Sequence, residues 1–92
     1  MQNFKDVCGS NKSVWFEIQP NESKKFLKWA KDLGCKWING EEIDVNQHVE
    51  FFHLSISNEG ELAYVPAFAW VKEKHKFKHY KYKHFNDSKL KQ

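Results

Sequence analysis

The sequence predicts a single α+β domain in which one main helix packs on a mostly antiparallel sheet of four or five strands. Three observations lead to this fold class: one segment has helical periodicity, several others alternate with a period of two, and glycines or polar turns separate them. The 92 residues are 40% apolar and 16% aromatic. A chain of this size buries only about 60 to 65% of its unfolded surface, so we expect one modest core.

The main helix is predicted within residues 20–43, whose sequence is PNESKKFLKWAKDLGCKWINGEEI. Asn21 is expected to cap it, because an asparagine side-chain oxygen accepts a backbone N–H that the first helical turn leaves unpaired. The apolar stripe at the spacing i, i+4, i+7 consists of Phe26, Ala30 and Leu33. Gly34 is expected to end the helix in the left-handed conformation. The stripe predicts that one helix face packs against the core.

The first strand is predicted at residues 13–19, SVWFEIQ, where side chains of the main apolar set alternate with others. Trp15 lies on the face opposite that set and has two interpretations. It packs on a second, covered face of the sheet, which we favour, or it is an exposed anchor for a partner. The preceding residues 1–13 form a polar lead-in that is ordered only if Phe4 and Val7 reach the core.

A short strand at residues 36–38 and an Asn39-Gly40 turn follow the helix. Three acidic residues come directly afterwards, and these are Glu41, Glu42 and Asp44. Carboxylates at close spacing are able to hold a divalent cation, but this spacing matches no calcium-binding loop. We therefore interpret the acidic residues as part of a solvated turn.

A β-hairpin is predicted from residues 49–57 and 62–65, joined by a turn in which Gly60 adopts a positive φ. His53 lies on its second face beside Phe51. A histidine among aromatic residues on such a face favours a packed or surface role over that of a general base or ligand.

Residues 67–71, AFAWV, are expected to add one more short apolar segment after Pro66 ends the hairpin. The predicted core comprises Phe26, Trp29, Leu33, Trp37, Phe52, Leu54 and Ile56. Truncation of a large buried ring leaves a cavity, so we expect alanine at Trp37 or Phe52 to cost about 3 to 5 kcal/mol.

The charges are divided unevenly along the chain. Residues 1–71 hold seven lysines against ten acidic residues, whereas residues 72–92 hold eight lysines against two. This division predicts an acidic body, residues 1–71, followed by a basic aromatic segment, residues 72–92, that forms a tail or an edge strand. The sequence contains no arginine, so any phosphate binding relies on lysine, histidine or backbone N–H groups.

Residues 73–85, EKHKFKHYKYKHF, interleave basic and aromatic side chains, and this pattern has two interpretations. Lysines that follow phosphates, with rings that stack on bases at about 1 to 3 kcal/mol each, form a surface for single-stranded nucleic acid. In the interpretation that we favour, the lysines prevent edge-to-edge pairing of a strand or tail whose rings cover the body. The nucleic-acid or anion-binding candidates are Lys72, Lys74, Lys76, Phe77, Lys78, Tyr80, Lys81, Tyr82 and Lys83.

The sequence carries no catalytic or metal-binding signature. His75 and His79 are four residues apart with His84 nearby, but no paired cysteine or third ligand at helical spacing accompanies them, so we predict no metal site. Cys8 and Cys35 lack a paired spacing and are not expected to form a disulfide. The serines have no nucleophile–base motif around them, so we expect no enzyme and no cofactor. The partner- or ligand-binding candidates are Trp15, Phe51, His53 and Tyr64.

The N-terminal segment MQNFKDVCGSNKS has no apolar run, and no segment approaches the roughly 18 apolar residues of a membrane span. We therefore expect a cytoplasmic protein without membrane contact. A short chain with an exposed sheet edge and spare aromatic residues often completes its core across a twofold axis, so we also expect a homodimer.

The segment FLKWAKDLGCKWINGEEI at residues 26–43 is followed by a short hairpin at residues 52–65. In this combination the chain resembles small uncharacterised phage and prophage proteins of Gram-positive bacteria over residues 15–70. The matching positions are the glycine that ends the helix, the aromatic strand residue and the glycine of the next turn, here Gly34, Trp37 and Gly40. The resemblance implies a non-enzymatic binding protein for host takeover or anti-defence, which blocks a host or immune protein or sequesters a signalling nucleotide. The alternative is a nucleic-acid-binding protein that acts through residues 72–92.

Overall fold

A computed structural model describes residues 3–47, 49 and 52–83 of the chain. Within them, the helices are α1 (Phe4–Cys8), α2 (Ser23–Asp32) and α3 (Ala67–Glu73), and the strands are β1 (Ser13–Glu17), β2 (Lys36–Trp37), β3 (His53–Ser57), β4 (Glu61–Tyr64) and β5 (Lys78–Lys81). Short 3₁₀ turns lie at Pro20–Glu22 and Lys74–Lys76. The α+β prediction is confirmed, because helices pack on one five-stranded sheet whose central strand pairs are antiparallel.

The strands are arranged in the order β2-β4-β3-β1-β5. The central pairs β1–β3 and β3–β4 are antiparallel, whereas the edge strands β2 and β5 run parallel to β4 and β1. Strands β4 and β5 run in the same direction without being neighbours, and α3 lies in the connection that carries the chain from β4 past β3 and β1 to the far edge of the sheet. Strands that run in the same direction need such a crossover connection. The basic C-terminal segment therefore contributes an edge strand, which is one of the two arrangements that the sequence left open.

The first face of the sheet carries the main core. The fully buried side chains that meet there include Val14, Phe16, Phe26, Leu27, Ala30, Leu54 and Ile56. The ring of Phe16 in β1 lies against that of Phe26 in α2, with centroids 5.5 Å apart. Burial of α2 on this face is what the apolar stripe predicts.

Helix α1 closes one side of this core. The side-chain oxygen of Asn3 accepts the backbone N–H of Asp6 at 3.2 Å, and the Asp6 carboxylate accepts the N–H of Asn3 at 2.8 Å. This reciprocal pair is a capping box. Phe4 packs tightly on Gly60, where an added Cβ would lie 2.9 Å from the Phe4 ring. Phe4 and Val7 both pack against the core, so the condition for an ordered N-terminal segment is met.

The N-terminus of α2 differs from the prediction. Asn21 does not cap the helix, because it lies inside the 3₁₀ turn Pro20–Glu22 and α2 begins at Ser23. The carboxylate of Glu22 holds this turn by accepting the backbone N–H of Gln19 at 2.9 Å. The proline ring fixes φ at a value suited to the first position of a helical turn, so the chain becomes helical before it reaches Asn21.

The predicted hairpin is present, but its first strand begins later than expected. Strand β3 starts at His53 instead of residue 49. Phe52 therefore lies outside the alternation of the strand and is 48% exposed. The prediction that Phe52 belongs to the core is wrong, because the alternation that places a side chain on one face holds only inside the strand.

The other local predictions agree with the structure. The predicted core residues that are buried are Phe26, Leu33, Leu54 and Ile56. Trp29 and Trp37 are half-buried and pack against the same core. The glycines that end α2 and close the hairpin turn, Gly34 and Gly60, have positive φ values of 93° and 83°.

The second face of the sheet is covered in part by α3. Residues 67–71, predicted only as a short apolar segment, form most of this helix, whose first turn closes when the N–H of Trp70 donates to the Pro66 carbonyl at 2.9 Å. A second buried cluster consists of Trp15, Val65 and Trp70. Strand β1 is therefore covered on both faces.

Candidate functional site

In the described part of the C-terminal segment, residues 72–83, the aromatic side chains face the body of the protein. Phe77 stacks on Trp15 with ring centroids 4.3 Å apart. Tyr82 is 4% exposed and meets the ring of Phe26 edge-on at 5.1 Å. Tyr80 is half-buried and packs against the main core. These rings are engaged in packing, so they do not form the open stacking platform that a single-stranded nucleic-acid surface uses.

The lysines of residues 72–83 face solvent. The exposed lysines from α3 through β5 and the two residues after it are Lys72, Lys74, Lys76, Lys78, Lys81 and Lys83. Lys76 makes a long ion pair with Glu73 at 4.0 Å. The β5 edge of the sheet is consequently basic, and lysine on an edge strand opposes pairing with another chain.

The partner-binding candidates do not converge on one site. Trp15 is 8% exposed and lies between Trp70 and Phe77, so it packs on the second face. His53 stacks on Trp70 with centroids 4.3 Å apart. Tyr64 pairs with Leu54 and shares its face of the sheet, the first face, where it packs against the main core. It is therefore on the other side of the sheet from Trp15 and His53. Phe51 lies outside the described residues. So does His84, which the sequence analysis considered with His75 and His79 as a metal ligand.

The environment of His53 disfavours its charged form. Burial lowers the pKa of His53, the nearby Glu17 raises it, and Lys74 lowers it further. Its ring is covered on one side by Trp70. This arrangement agrees with a packed histidine.

The buried thiols are also held in their neutral form. Cys8 donates a hydrogen bond from Sγ to the Ile56 carbonyl at 3.3 Å, and burial raises its pKa. Burial, with a further contribution from Cys8, raises the pKa of Cys35 to about 12. Both cysteines are free. Neither thiol is a good nucleophile near neutral pH, because the thiolate is the reactive species.

A cleft of about 270 Å³ opens beside the end of β2. The residues that line it are Trp37, Ile38, Asn39, Glu41, Gln47, Ala63 and Tyr64. The rings of Trp37 and Tyr64 are neighbours, with centroids 5.1 Å apart and planes inclined by 33°. The sequence analysis assigned Trp37 to the core and did not predict the cleft. The cleft forms because Glu41 and Gln47 come close to Ala63 and Tyr64 of β4, which are distant in the chain.

Gln47 fixes the aromatic wall of this cleft. Its side-chain oxygen accepts the indole N–H of Trp37 at 3.0 Å and the backbone N–H of Asp44 at 3.2 Å. The chain enters the cleft region through a tight turn, in which the N–H of Gly40 donates to the carbonyl of Trp37 at 2.7 Å. The cleft is therefore largely preformed.

The charges around the cleft are mostly negative. Among the described residues that line it, Glu41 is the only charged one, and it is exposed. Lys36 at the start of β2 is paired with Glu42 at 3.5 Å. Residues 36–47 hold one lysine against three acidic residues. Across the described parts of the chain, no group of three or more histidine, cysteine or acidic side chains is arranged to hold a metal ion.

A third surface is apolar. Phe68 and Val71 are each 72% exposed on α3. They are three residues apart and lie on one side of the helix, while Trp70 on another side is buried against Trp15. Lys72 and Lys74 follow directly. We call these four residues, Phe68, Val71, Lys72 and Lys74, the α3 patch.

No protein-family model matches this chain, and no curated protein or solved structure matches it either. None of the helices in the described residues is both long enough and apolar enough to cross a membrane. Three surfaces of the described residues are therefore candidates for binding, and these are the basic β5 edge, the cleft and the α3 patch.

Proposed function

We propose that this chain is a non-enzymatic binding protein that acts by covering a surface of a partner protein. The observation that carries the proposal is the pair Phe68 and Val71, each 72% exposed on a helix whose other side is anchored by Trp70. Single exposed apolar residues are ordinary. Adjacent ones on a rigid element, bordered by charge, are typical of a docking surface.

The chemistry of the α3 patch defines its partner. A phenylalanine ring fills an apolar pocket on a partner, and such buried aromatic anchors supply much of the energy of protein interfaces. Lys72 and Lys74 at the border of the patch favour a partner surface with acidic residues, because charge complementarity steers association and excludes wrong partners. The partner is therefore expected to be an acidic protein with an apolar pocket.

The resemblance of residues 15–70 to small phage and prophage proteins supports a setting in host takeover or anti-defence. Small proteins of that kind act stoichiometrically by blocking a host enzyme or an immune protein. The neutral, buried thiols and the stacked His53 support a non-enzymatic role. A blocking protein needs only a complementary surface.

The test is affinity capture from host cells with the full chain and with a double variant, Phe68→Ser with Val71→Ser. Phe52→Ser is the matched control, because Phe52 is also an exposed apolar residue, at 48%, but lies outside both the α3 patch and the cleft. The captured protein should be retained by the wild type and by the control and lost by the double variant, with mass spectrometry as the readout. Equal capture by the double variant would contradict the proposal.

Nucleic-acid binding is the second candidate, and the exposed lysines of the basic β5 edge favour it. Since the rings of the segment are packed inside, binding would depend on phosphate contacts alone and would be strongly salt-dependent. The log–log slope of affinity against salt should then be near −0.7 per phosphate contacted on single strands.

The experiment is a titration of labelled single-stranded and duplex oligonucleotides at about 50 and 200 mM salt. The test variant replaces Lys78, Lys81 and Lys83 with glutamine. The control variant replaces Lys24, Lys25 and Lys31, which are exposed on α2, so the net charge is matched. Binding that is steeply salt-dependent and lost only in the test variant would favour this second function over the first.

Sequestration of a signalling nucleotide has the least support among the binding modes. The cleft is lined by no basic residue among those described, and Glu41 opposes a phosphate there. A nucleotide pocket needs a few well-placed polar or cationic groups that fix the ligand. The lysines that could pair with a phosphate lie at the β5 edge, on the opposite side of the sheet from the cleft. The aromatic rings near those lysines are packed against the body and are not available to stack on a base.

A further inference from the structure

We propose that the cleft formed by Trp37, Tyr64 and Glu41 binds an alkylammonium group, presented as a lysine side chain by a partner polypeptide. The site lies at the β2 end of the sheet, away from the α3 patch. It goes beyond the function proposed above and stands or fails separately from it.

The rings of Trp37 and Tyr64 form the aromatic wall of the cleft. The centroids of the Trp37 indole and the Tyr64 ring are 5.1 Å apart at an inclination of 33°, so the two rings contact each other and leave no gap for a flat ligand between them. A cation within about 6 Å of an aromatic face is attracted by the ring quadrupole, most strongly by tryptophan. The hydrogen bond from the Trp37 indole to Gln47 holds this wall in place.

The charge around the cleft selects a cation. Glu41 is the sole charged residue in the described part of the lining, and the segment 36–47 contains three acidic residues and one lysine, which is already paired with Glu42. An ammonium group gains a counter-charge here, whereas an anion meets repulsion. A neutral ligand would contact the aromatic rings but would gain nothing from the negative charge of Glu41.

The size of the cleft selects a single side chain. Its volume of about 270 Å³ is below the range of roughly 300 to 1,000 Å³ that is typical of pockets for larger ligands. Ile38 lines the cleft and is 62% exposed. The methylene stem of a lysine packs on such an apolar neighbour while its charged end stays near a carboxylate. The flexible point charge of lysine fits this arrangement better than the planar fork of arginine does.

The test follows the indole N–H resonance of Trp37 by heteronuclear NMR during titration with Nα-acetyl-lysine methylamide at low salt. The norleucine analogue is the matched ligand, since it has a similar stem without the ammonium group. Trp37→Phe assigns the resonance, and the other three tryptophan resonances report that this variant is folded. A saturable shift with the lysine ligand and little shift with the norleucine ligand is expected.

Two carboxylate variants complete the experiment. Glu41→Gln should weaken binding of the lysine ligand about threefold to fivefold, which is the scale of an exposed ion pair. Glu59→Gln, an exposed change in the hairpin turn, should leave it unchanged. Equal shifts with both ligands, equal affinity in Glu41→Gln, or no shift at Trp37 would each overturn the proposal. The double variant of Phe68 and Val71 should bind the lysine ligand as the wild type does, which separates this test from that of the proposed function.

Discussion

Phe77 stacks on Trp15, with ring centroids 4.3 Å apart and planes inclined by only 13°. Phe77 directly precedes β5, and Trp15 lies in β1. Their stack lies on the second face of the sheet, beside Trp70. Strand β5 also pairs with β1 from Val14 to Glu17. The lysine-rich segment is therefore held to the body by both ring contacts and backbone pairing.

The first prediction concerns this stack. Phe77→Ala should lower the free energy of unfolding by about 2 kcal/mol, because it removes a half-buried ring and uncovers Trp15. Phe68→Ala is the matched control and should change it by less than about 0.5 kcal/mol, since Phe68 is 72% exposed. Urea denaturation followed by tryptophan fluorescence measures both values. A larger effect at Phe68 than at Phe77 would contradict the packing described here.

The second prediction concerns removal of the C-terminal segment. A chain that ends at Val71 lacks β5, Phe77 and the buried Tyr82, and it interrupts α3 before Glu73. We expect this truncated chain to lose cooperative unfolding, because β1 would have an open edge and an uncovered face. Near-ultraviolet circular dichroism and urea titration measure this. A folded truncation with an unchanged midpoint would show that the segment is dispensable. Lysine substitutions are for this reason the better test of nucleic-acid binding.

The third prediction compares neighbouring apolar residues in and before β3. Phe52→Ala should cost less than about 1 kcal/mol, because its side chain is 48% exposed. Leu54→Ala should cost about 2 to 5 kcal/mol, because Leu54 is fully buried in the main core. Chemical denaturation of both variants decides between them. Similar losses at the two positions would place Phe52 in the core after all.

The fourth prediction concerns alkaline pH. Burial raises the pKa of Cys35 from 9.0 to about 12 and that of Tyr82 from 10.0 to about 12. The unfolded chain loses these protons first, so stability should be constant with respect to both groups below about pH 9 and should decline as the pH rises towards 12. Urea midpoints measured across this range test it. Tyr82→Phe should decline less steeply above pH 10 than the wild type, and an identical slope would refute the role of Tyr82.

The fifth prediction concerns thiol reactivity. At pH 8 both cysteines should react slowly with a thiol reagent in the folded protein and rapidly in denaturant, because burial keeps the thiols protonated and inaccessible. The labelling rate should rise with urea in parallel with unfolding. Rapid labelling of either cysteine in the absence of denaturant would show that the core opens locally at that position.

The sequence by itself determined the features that depend on near neighbours. The stripe of Phe26, Ala30 and Leu33 placed α2 on the core, since helical spacing puts these residues on one side. Gly34 and Gly60 marked the chain reversals because positive φ is inexpensive only for glycine. These local signals were sufficient for the α+β class and for most of the main core. They were insufficient at Asn21, where the preceding proline decided the turn, and at Phe52, where the strand begins one residue later.

Only the tertiary structure decided what the second face and the two sheet edges do. The pattern of residues 73–85 suits a nucleic-acid surface and an edge strand equally well, because alternation shows which side chains share a face but not what that face meets. Pairing of β5 with β1 buried Tyr82 and stacked Phe77 on Trp15, while the lysines of residues 72–83 stayed exposed. The cleft likewise exists because residues distant in the chain, Gln47 and Tyr64, meet Trp37. Such contacts are set by the path of the whole chain, which no local pattern encodes.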